Sequence, residues 1–304
     1  MTKLFRPPPT EQIYRSHLPG RYSGFSIEKY FADRFPYQSE ERWQEMLRDG
    51  KITVNGAPAE PGLKVYLHDF IVTRMAARQE PAADRTLNII FENPHLRVFN
   101  KGAPLPVHPS GRYFQNSMTE ILKREYPDET PRPVQRLDAM TTGVTVFAKT
   151  RNAARYIMKA LQNKEIEKEY LALVEGIPSE NNFMVDLPIG KVYGSARGCG
   201  PDAMNKKPAQ TRVEWIASRG GKSLLRVFPL TGRTNQIRVH LATCGLPIIN
   251  DGVYGPENRT LKTGGLGLHA YRMRFDCLGK QYQFKAPLPE HFLDYNEFVC
   301  DRLS

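Results

Sequence analysis

The stretch Gln135-Arg136-Leu137-Asp138-Ala139-Met140-Thr141-Thr142-Gly143-Val144-Thr145-Val146-Phe147-Ala148 is the most informative in the chain. Leu137 leads into a carboxylate, a polar turn closes at Thr142-Gly143, and Val144–Ala148 reads as a strand. A short turn tied to a strand is a rigid mount for an acid, and catalytic groups are commonly mounted that way. Taken alone, an aspartate before Thr and Gly is more often a turn residue bonding its own backbone.

Short strand-like runs surround this segment. Asn88–Phe91 and Leu96–Asn100 flank Glu92-Asn93-Pro94-His95 as a hairpin. Tyr170–Val174, Arg212–Ile216, Leu224–Phe228 and Tyr282–Phe284 are further strands. Ala153, Ile157 and Leu161 mark one face of a helix. Thr234 to Thr243 reads as a second helix, with Thr234 as N-cap, Gly245 as the stop, and Ile237, Leu241 and Cys244 on the buried face. Residues 194–208 read as a mobile loop. Together these predict an α+β domain over 87–304, built around a largely antiparallel or mixed β-sheet with flanking helices.

A smaller unit precedes it. Ile27, Tyr30 and Phe31 have helical spacing, as do Trp43, Met46 and Leu47, and Gly50 stands where a helix ends. Ile52 and Val54 alternate like a strand into the turn Asn55-Gly56, and Val65–Val72 reads as another strand. Residues 21–75 are thus a small α/β domain. Residues 1–20, with Pro7-Pro8-Pro9, read as a flexible arm, and 76–86 as a linker.

The chain has 304 residues, enough for two domains, and 43 Lys and Arg against 32 Asp and Glu give a net charge of +11. That excess points to a polyanionic partner. No apolar run approaches the roughly 20 residues of a spanning helix, and no secretory leader is visible, so a cytoplasmic protein without membrane contact is expected. The four cysteines, Cys199, Cys244, Cys277 and Cys300, form no Cys-x-x-Cys pair, and they read as small buried or half-buried residues rather than metal ligands.

Residues 21–75, with Arg48-Asp49-Gly50-Lys51-Ile52-Thr53-Val54-Asn55-Gly56 at their centre, resemble the small RNA-binding domain of the ribosomal small-subunit protein four type. Arg42, Arg48 and Lys51 would form a positive edge for phosphates; by residue type alone they are also an ordinary solvated face. Arg136-Leu137-Asp138-x-x-Thr141-Thr142-Gly143 resembles the signature of the RluA-type pseudouridine synthases. Other segments resemble that family in order: Asn100-Lys101 to Val107-His108-Pro109, Lys168-Glu169-Tyr170, Gly232-Arg233-Thr234-Asn235-Gln236-Ile237-Arg238, Pro247 to Asp251 with Tyr254-Gly255, Leu268-His269-Ala270, and Ala286-Pro287-Leu288-Pro289.

The resemblance implies isomerisation of uridine in ribosomal or transfer RNA, with no cofactor and no metal; a monomer is the default expectation. Asp138 would be the catalytic carboxylate, as nucleophile or base. Arg238 would pair with it, Tyr170 would stack on the target base, and Arg136 would reach into the RNA. His108, His240 and His269 would shape loops and hydrogen bonds. The chain departs from the family pattern at Gln135 and Asn235, where histidines are usual, at Thr142 for serine, and at Gly102 for proline, which would loosen that loop. These departures touch the choice of RNA rather than the reaction. The rival reading is a non-catalytic RNA-binding or ribosome-assembly factor, against which the retention of Asp138, Tyr170 and Arg238 together speaks. A zinc-dependent base deaminase would need a His/Cys set with a nearby Glu, and none is seen.

Overall fold

The computed structural model describes residues 4–194, 196–255 and 265–295; Cys300, the first residues of the expected arm and the end of the 87–304 domain lie outside them. The chain divides into two compact units, Arg6–Glu80, and Pro81–Ser304 joined by Met1–Phe5.

In the smaller unit, β1 (Thr10–His17), β2 (Ile52–Val54), β3 (Ala57–Pro58) and β4 (Phe70–Arg78) form an antiparallel sheet in the order β1-β4-β2-β3. Helices α1 (Ile27–Arg34) and α2 (Glu40–Arg48) bury the expected faces, and Phe31 stacks on Trp43 with ring centroids 4.6 Å apart. The Ser39 hydroxyl accepts the Arg42 N–H at 3.3 Å, capping α2. Asn55 and Gly56, at φ 50° and 86°, supply the left-handed turn between β2 and β3.

Two expectations are corrected here. Residues 10–17 are not a loose arm but a strand paired along β4, from Thr10 opposite Arg78 to His17 opposite Phe70. The run Thr-Glu-Gln-Ile-Tyr-Arg-Ser-His holds one aliphatic residue, so backbone pairing rather than apolar alternation makes it a strand. The strand expected over Val65–Val72 starts only at Phe70 and continues to Arg78, into the expected linker. Before it, the Asp69 carboxylate accepts the Tyr66 N–H at 2.7 Å and holds a turn.

The larger unit is the expected α+β domain. Its sheet contains β5 (Leu87–Glu92), β6 (Leu96–Lys101), β7 (Arg132–Pro133), β8 (Thr142–Ala148), β9 (Glu167–Glu175), β10 (Asn182–Asp186), β14 (Gln210–Arg219), β15 (Lys222–Pro229), β16 (Leu268–Cys277) and β17 (Lys280–Lys285). The main path runs β10-β14-β15-β9-β16-β8-β6-β5, with β17 on β16 and β7 on β8. Pairing is antiparallel except between β8 and β16. There Gly143 lies opposite Ala270, at φ 110°, and a Cβ would run into the Ala270 carbonyl, so only glycine fits.

Alternation along the strands sends neighbours to opposite faces. Phe99 and Phe147 join one apolar layer with α3 (Met118–Glu125) and α5 (Gln236–Thr243). Val98, Val144 and Val146 join another with α4 (Arg151–Gln162). The stretch read as a mobile loop contains two strands, β12 (Arg197–Gly198) and β13 (Met204–Lys207), which pair with β11 (Ile189–Lys191) in a separate small sheet. Their polar, glycine-containing sequences carry no period-two signal. Helix α5 begins after Asn235, not Thr234, and Cys244 is exposed rather than buried. Cys277 is buried and Cys199 half-buried.

Candidate active site

Asp138 sits in the turn that leads into β8. Its carbonyl accepts the Thr141 N–H at 3.1 Å, and the next carbonyl, of Ala139, accepts the Leu105 N–H at 2.8 Å. Lys101, at the end of β6, is 1% exposed and donates to the carbonyls of Leu105 at 2.7 Å, Gly102 at 2.9 Å and Ala139 at 3.3 Å. One amine therefore binds the 102–105 segment to the turn that carries Asp138. Burial pushes this amine down to about 7, against the pull of Asp138 and Asp84. At Gly102 the Asp84 carboxyl occupies the space a Cβ would take. The Thr142 hydroxyl and His269 Nδ1 share a hydrogen bond at 2.8 Å, one residue before Gly143.

From α5, Arg238 donates Nη1 to Asp138 Oδ2 at 3.0 Å. Its Nε and Nη2 donate to Asp251 at 2.7 and 2.8 Å, a two-point pair with a carboxylate whose side chain is fully buried. Asp251 also accepts the N–H groups of Val253 and Tyr254. Burial alone would raise the Asp251 pKa, but the Arg238 hydrogen bonds, its charge and the two backbone donors lower it. Burial likewise opposes the Arg238 charge, and the two carboxylates overcome it and raise its pKa.

Hydrogen bonding fixes the Asn235 amide with its nitrogen toward Asp138. It donates to Asp138 at 2.9 Å (Oδ2) and 3.2 Å (Oδ1), and its oxygen accepts from the Tyr254 hydroxyl at 2.9 Å. Tyr254 also lies under the Arg238 guanidinium, 5.1 Å from it.

Tyr170 on β9 is 8% exposed, between Val227 of β15 and Ala270 of β16. Burial, then the negative charge of Asp138, raises its phenol pKa, so the ring stays neutral at ordinary pH. Asp138, Tyr170, Arg238, Arg136 and Asn235 all line one open pocket of about 290 Å³. Lys168, Thr231, Gly232 and Arg233 pass from this pocket into an adjoining groove of about 860 Å³. There Arg212, Arg226, Arg272, Arg274 and Lys164 face Glu167, Glu169 and Glu214. Buried Glu169 is shared by Arg226 at 2.6 Å and Arg272 at 2.7 Å, and Arg212 lies 3.9 Å over the Phe228 ring.

Four of the sequence-derived site residues thus meet in one place. Arg42, Arg48 and Lys51 lie exposed on the smaller unit, with Arg42 paired to Glu45 at 2.7 Å. His240 is buried and bonded to Thr211 and the Leu187 carbonyl at 2.8 and 2.9 Å, and with His269 it serves the local structure. Sequence reasoning gave no role to Lys101, Asp251 or Tyr254, and took Asn235 only as a departure. Among the described residues, no group of three His, Cys, Asp or Glu is placed to hold a metal ion, and no helix is long and apolar enough to cross a membrane.

Residues 95–243 match the profile of a protein family described as RNA pseudouridylate synthase. The ribosomal large subunit pseudouridine synthase D of Vibrio parahaemolyticus is 32% identical over 297 residues, 90% of this chain and 90% of that protein. Human pseudouridylate synthase RPUSD2 is 32% identical over 243 residues, 79% of this chain; the chain spans only 44% of that relative's length. The mitochondrial tRNA pseudouridine(32) synthase of Saccharomyces cerevisiae is 29% identical over 91% of this chain and 62% of its own. The solved structure of human RNA pseudouridylate synthase domain containing 1 shares the fold, with a TM-score of 0.60 and 24% identity over 71% of this chain and 88% of that one.

Proposed function

The chain belongs to the RNA pseudouridylate synthase family, and from that premise we propose that it isomerises uridine in structured RNA, ribosomal or transfer, to pseudouridine. The bond between sugar C1′ and base N1 breaks, the uracil turns, and C1′ bonds to C5. C5 gives up its proton and N1 takes one, so atoms balance without oxidant, water or cofactor.

The observation that carries this reading is the Asp138–Arg238 contact at 3.0 Å on the wall of a pocket that Tyr170 also lines. A carboxylate acts at the sugar, as nucleophile or base, only when ionised. Arg238 offsets the cost of holding that charge in a half-closed site. Tyr170 offers a ring face to a base withdrawn from its neighbours. Arg136, on the rim, reaches toward the RNA, and the cations of the adjoining groove take the phosphates of the flanking strand. Residues 21–75, which resemble the small RNA-binding domain of the ribosomal protein four type, dock RNA through Arg42, Arg48 and Lys51. The enzyme works as a monomer in the cytoplasm.

The test is a map of pseudouridine in total RNA from cells lacking the protein, complemented with wild type or Asp138→Asn. The expected result is loss of a modified position, restored by wild type alone. An unchanged map, or rescue by Asp138→Asn, would favour the non-catalytic RNA-binding alternative.

A further inference from the structure

Asn235 stands in a conformation that few side chains adopt, φ 56°, one residue before α5. Asparagine tolerates this region better than most residues. The backbone so placed brings the amide against Asp138, where its N–H₂ meets both carboxylate oxygens, at 2.9 and 3.2 Å. The amide is itself fixed. Its oxygen accepts the Tyr254 hydroxyl at 2.9 Å, and that hydroxyl accepts the Arg197 N–H of β12 at 2.9 Å. Tyr254 is held in turn by its own N–H on Asp251, at 3.1 Å, beneath Arg238. Asp138 therefore receives two kinds of donor: the charged Nη1 of Arg238 on Oδ2, and an uncharged amide spanning both oxygens.

We propose that Asn235 is the positioning residue that fixes the rotation of the Asp138 carboxylate, with Tyr254 as its anchor. Arg238 alone touches one oxygen and leaves the carboxylate free to turn about its Cβ–Cγ bond. A second donor across both oxygens removes that freedom, so that one oxygen is already directed into the pocket when the sugar arrives. The amide does not titrate, so this support is the same at every working pH. A histidine in its place would lend a donor whose charge changes with pH.

The inference rests on the uridine-isomerase reading, and the experiment separates the two. RNA from cells lacking the protein, labelled with tritium at uridine C5, releases tritium to water when C5 bonds to the sugar. Initial rates give kcat and KM for wild type, Asn235→Gly, Asn235→His and Tyr254→Phe. Glycine accepts φ 56° without strain and removes only the amide; thermal melts check that each variant is folded. Asn235→Gly is expected to lower kcat by about 10- to 100-fold with KM within about twofold, the signature of lost orientation. Tyr254→Phe should lower kcat less, by several-fold. Asn235→His should recover most of the rate, with a kcat that becomes pH-dependent near the imidazole range where wild type is flat. Wild-type kcat in folded Asn235→Gly, or an equal loss in Asn235→His with no change in pH profile, would overturn the positioning role. Absence of tritium release by wild type itself would overturn the isomerase reading and the inference with it.

Discussion

Arg238 holds Asp251 through two nitrogens, at 2.7 and 2.8 Å, and has one nitrogen left for Asp138. The buried pair sets where the third nitrogen points. Removing one member of a buried, hydrogen-bonded ion pair leaves the other charge uncompensated, at a cost of about 3–5 kcal/mol. Asp251→Ala should therefore lower unfolding stability by about that amount and reduce kcat as Arg238 swings away from Asp138. Urea unfolding and steady-state rates measure both. An unchanged urea midpoint would show that Asp251 does not anchor Arg238.

Tyr170 separates ring face from hydroxyl. If the ring stacks on the target base, Tyr170→Phe keeps the contact and should hold kcat/KM within about threefold. Tyr170→Leu fills similar space without a π face and should lose about 1–3 kcal/mol of stacking, roughly 5- to 150-fold in kcat/KM. A Phe variant as poor as Leu would move the role to the hydroxyl.

The site was legible in part. Asp138, Arg136, Tyr170 and Arg238 could be located because each stands in a short ordered motif, and Arg238 meets Asp138 across 100 residues of chain. Lys101 was not, because nothing local tells a strand-end lysine pointing to solvent from one that ties three carbonyls together. Asn235 gave no signal of its own, since its contact depends on a left-handed backbone and a tyrosine 19 residues away. The β-sheet was visible in several places where apolar alternation drives burial, as in β8, but not in β16, where Tyr271, Met273, Phe275 and Cys277 alternate as buried residues. Among the strands missed, β1, β12 and β13 hold their place by main-chain pairing, which leaves no pattern in side-chain type.

The cationic groove makes a prediction separate from the chemistry. Arg212 and Arg274 are each more than two-fifths exposed and sit away from Asp138's contacts. Arg212→Ala and Arg274→Ala should each weaken RNA binding and reduce the slope of log K against log salt by about 0.7–0.9, one phosphate's worth. At saturating RNA, kcat should be unchanged. Binding titrations at several salt concentrations decide this; an unaltered slope would place the flanking RNA elsewhere.

Lys101 makes the pH prediction, and its sign follows from burial. The amine is 1% exposed and pushed down to about 7, from an ordinary value of 10.5. Between those values the unfolded chain carries a proton that the folded chain lacks, so folding stability rises with pH, by up to about 1.4 kcal/mol per unit. Below about 7 both states are protonated and the full cost of burying the charge is present. In Lys101→Met this titration is gone, although three carbonyls lose a donor. The stability of wild type relative to Lys101→Met should therefore increase from pH 7.5 to 9.5, as measured by urea unfolding at each pH. A difference that stays constant across that window would mean that the three carbonyls, with Asp138 and Asp84, keep the ammonium charged in the folded protein, and the Asp138 turn would then rest on a buried cation rather than on a neutral amine.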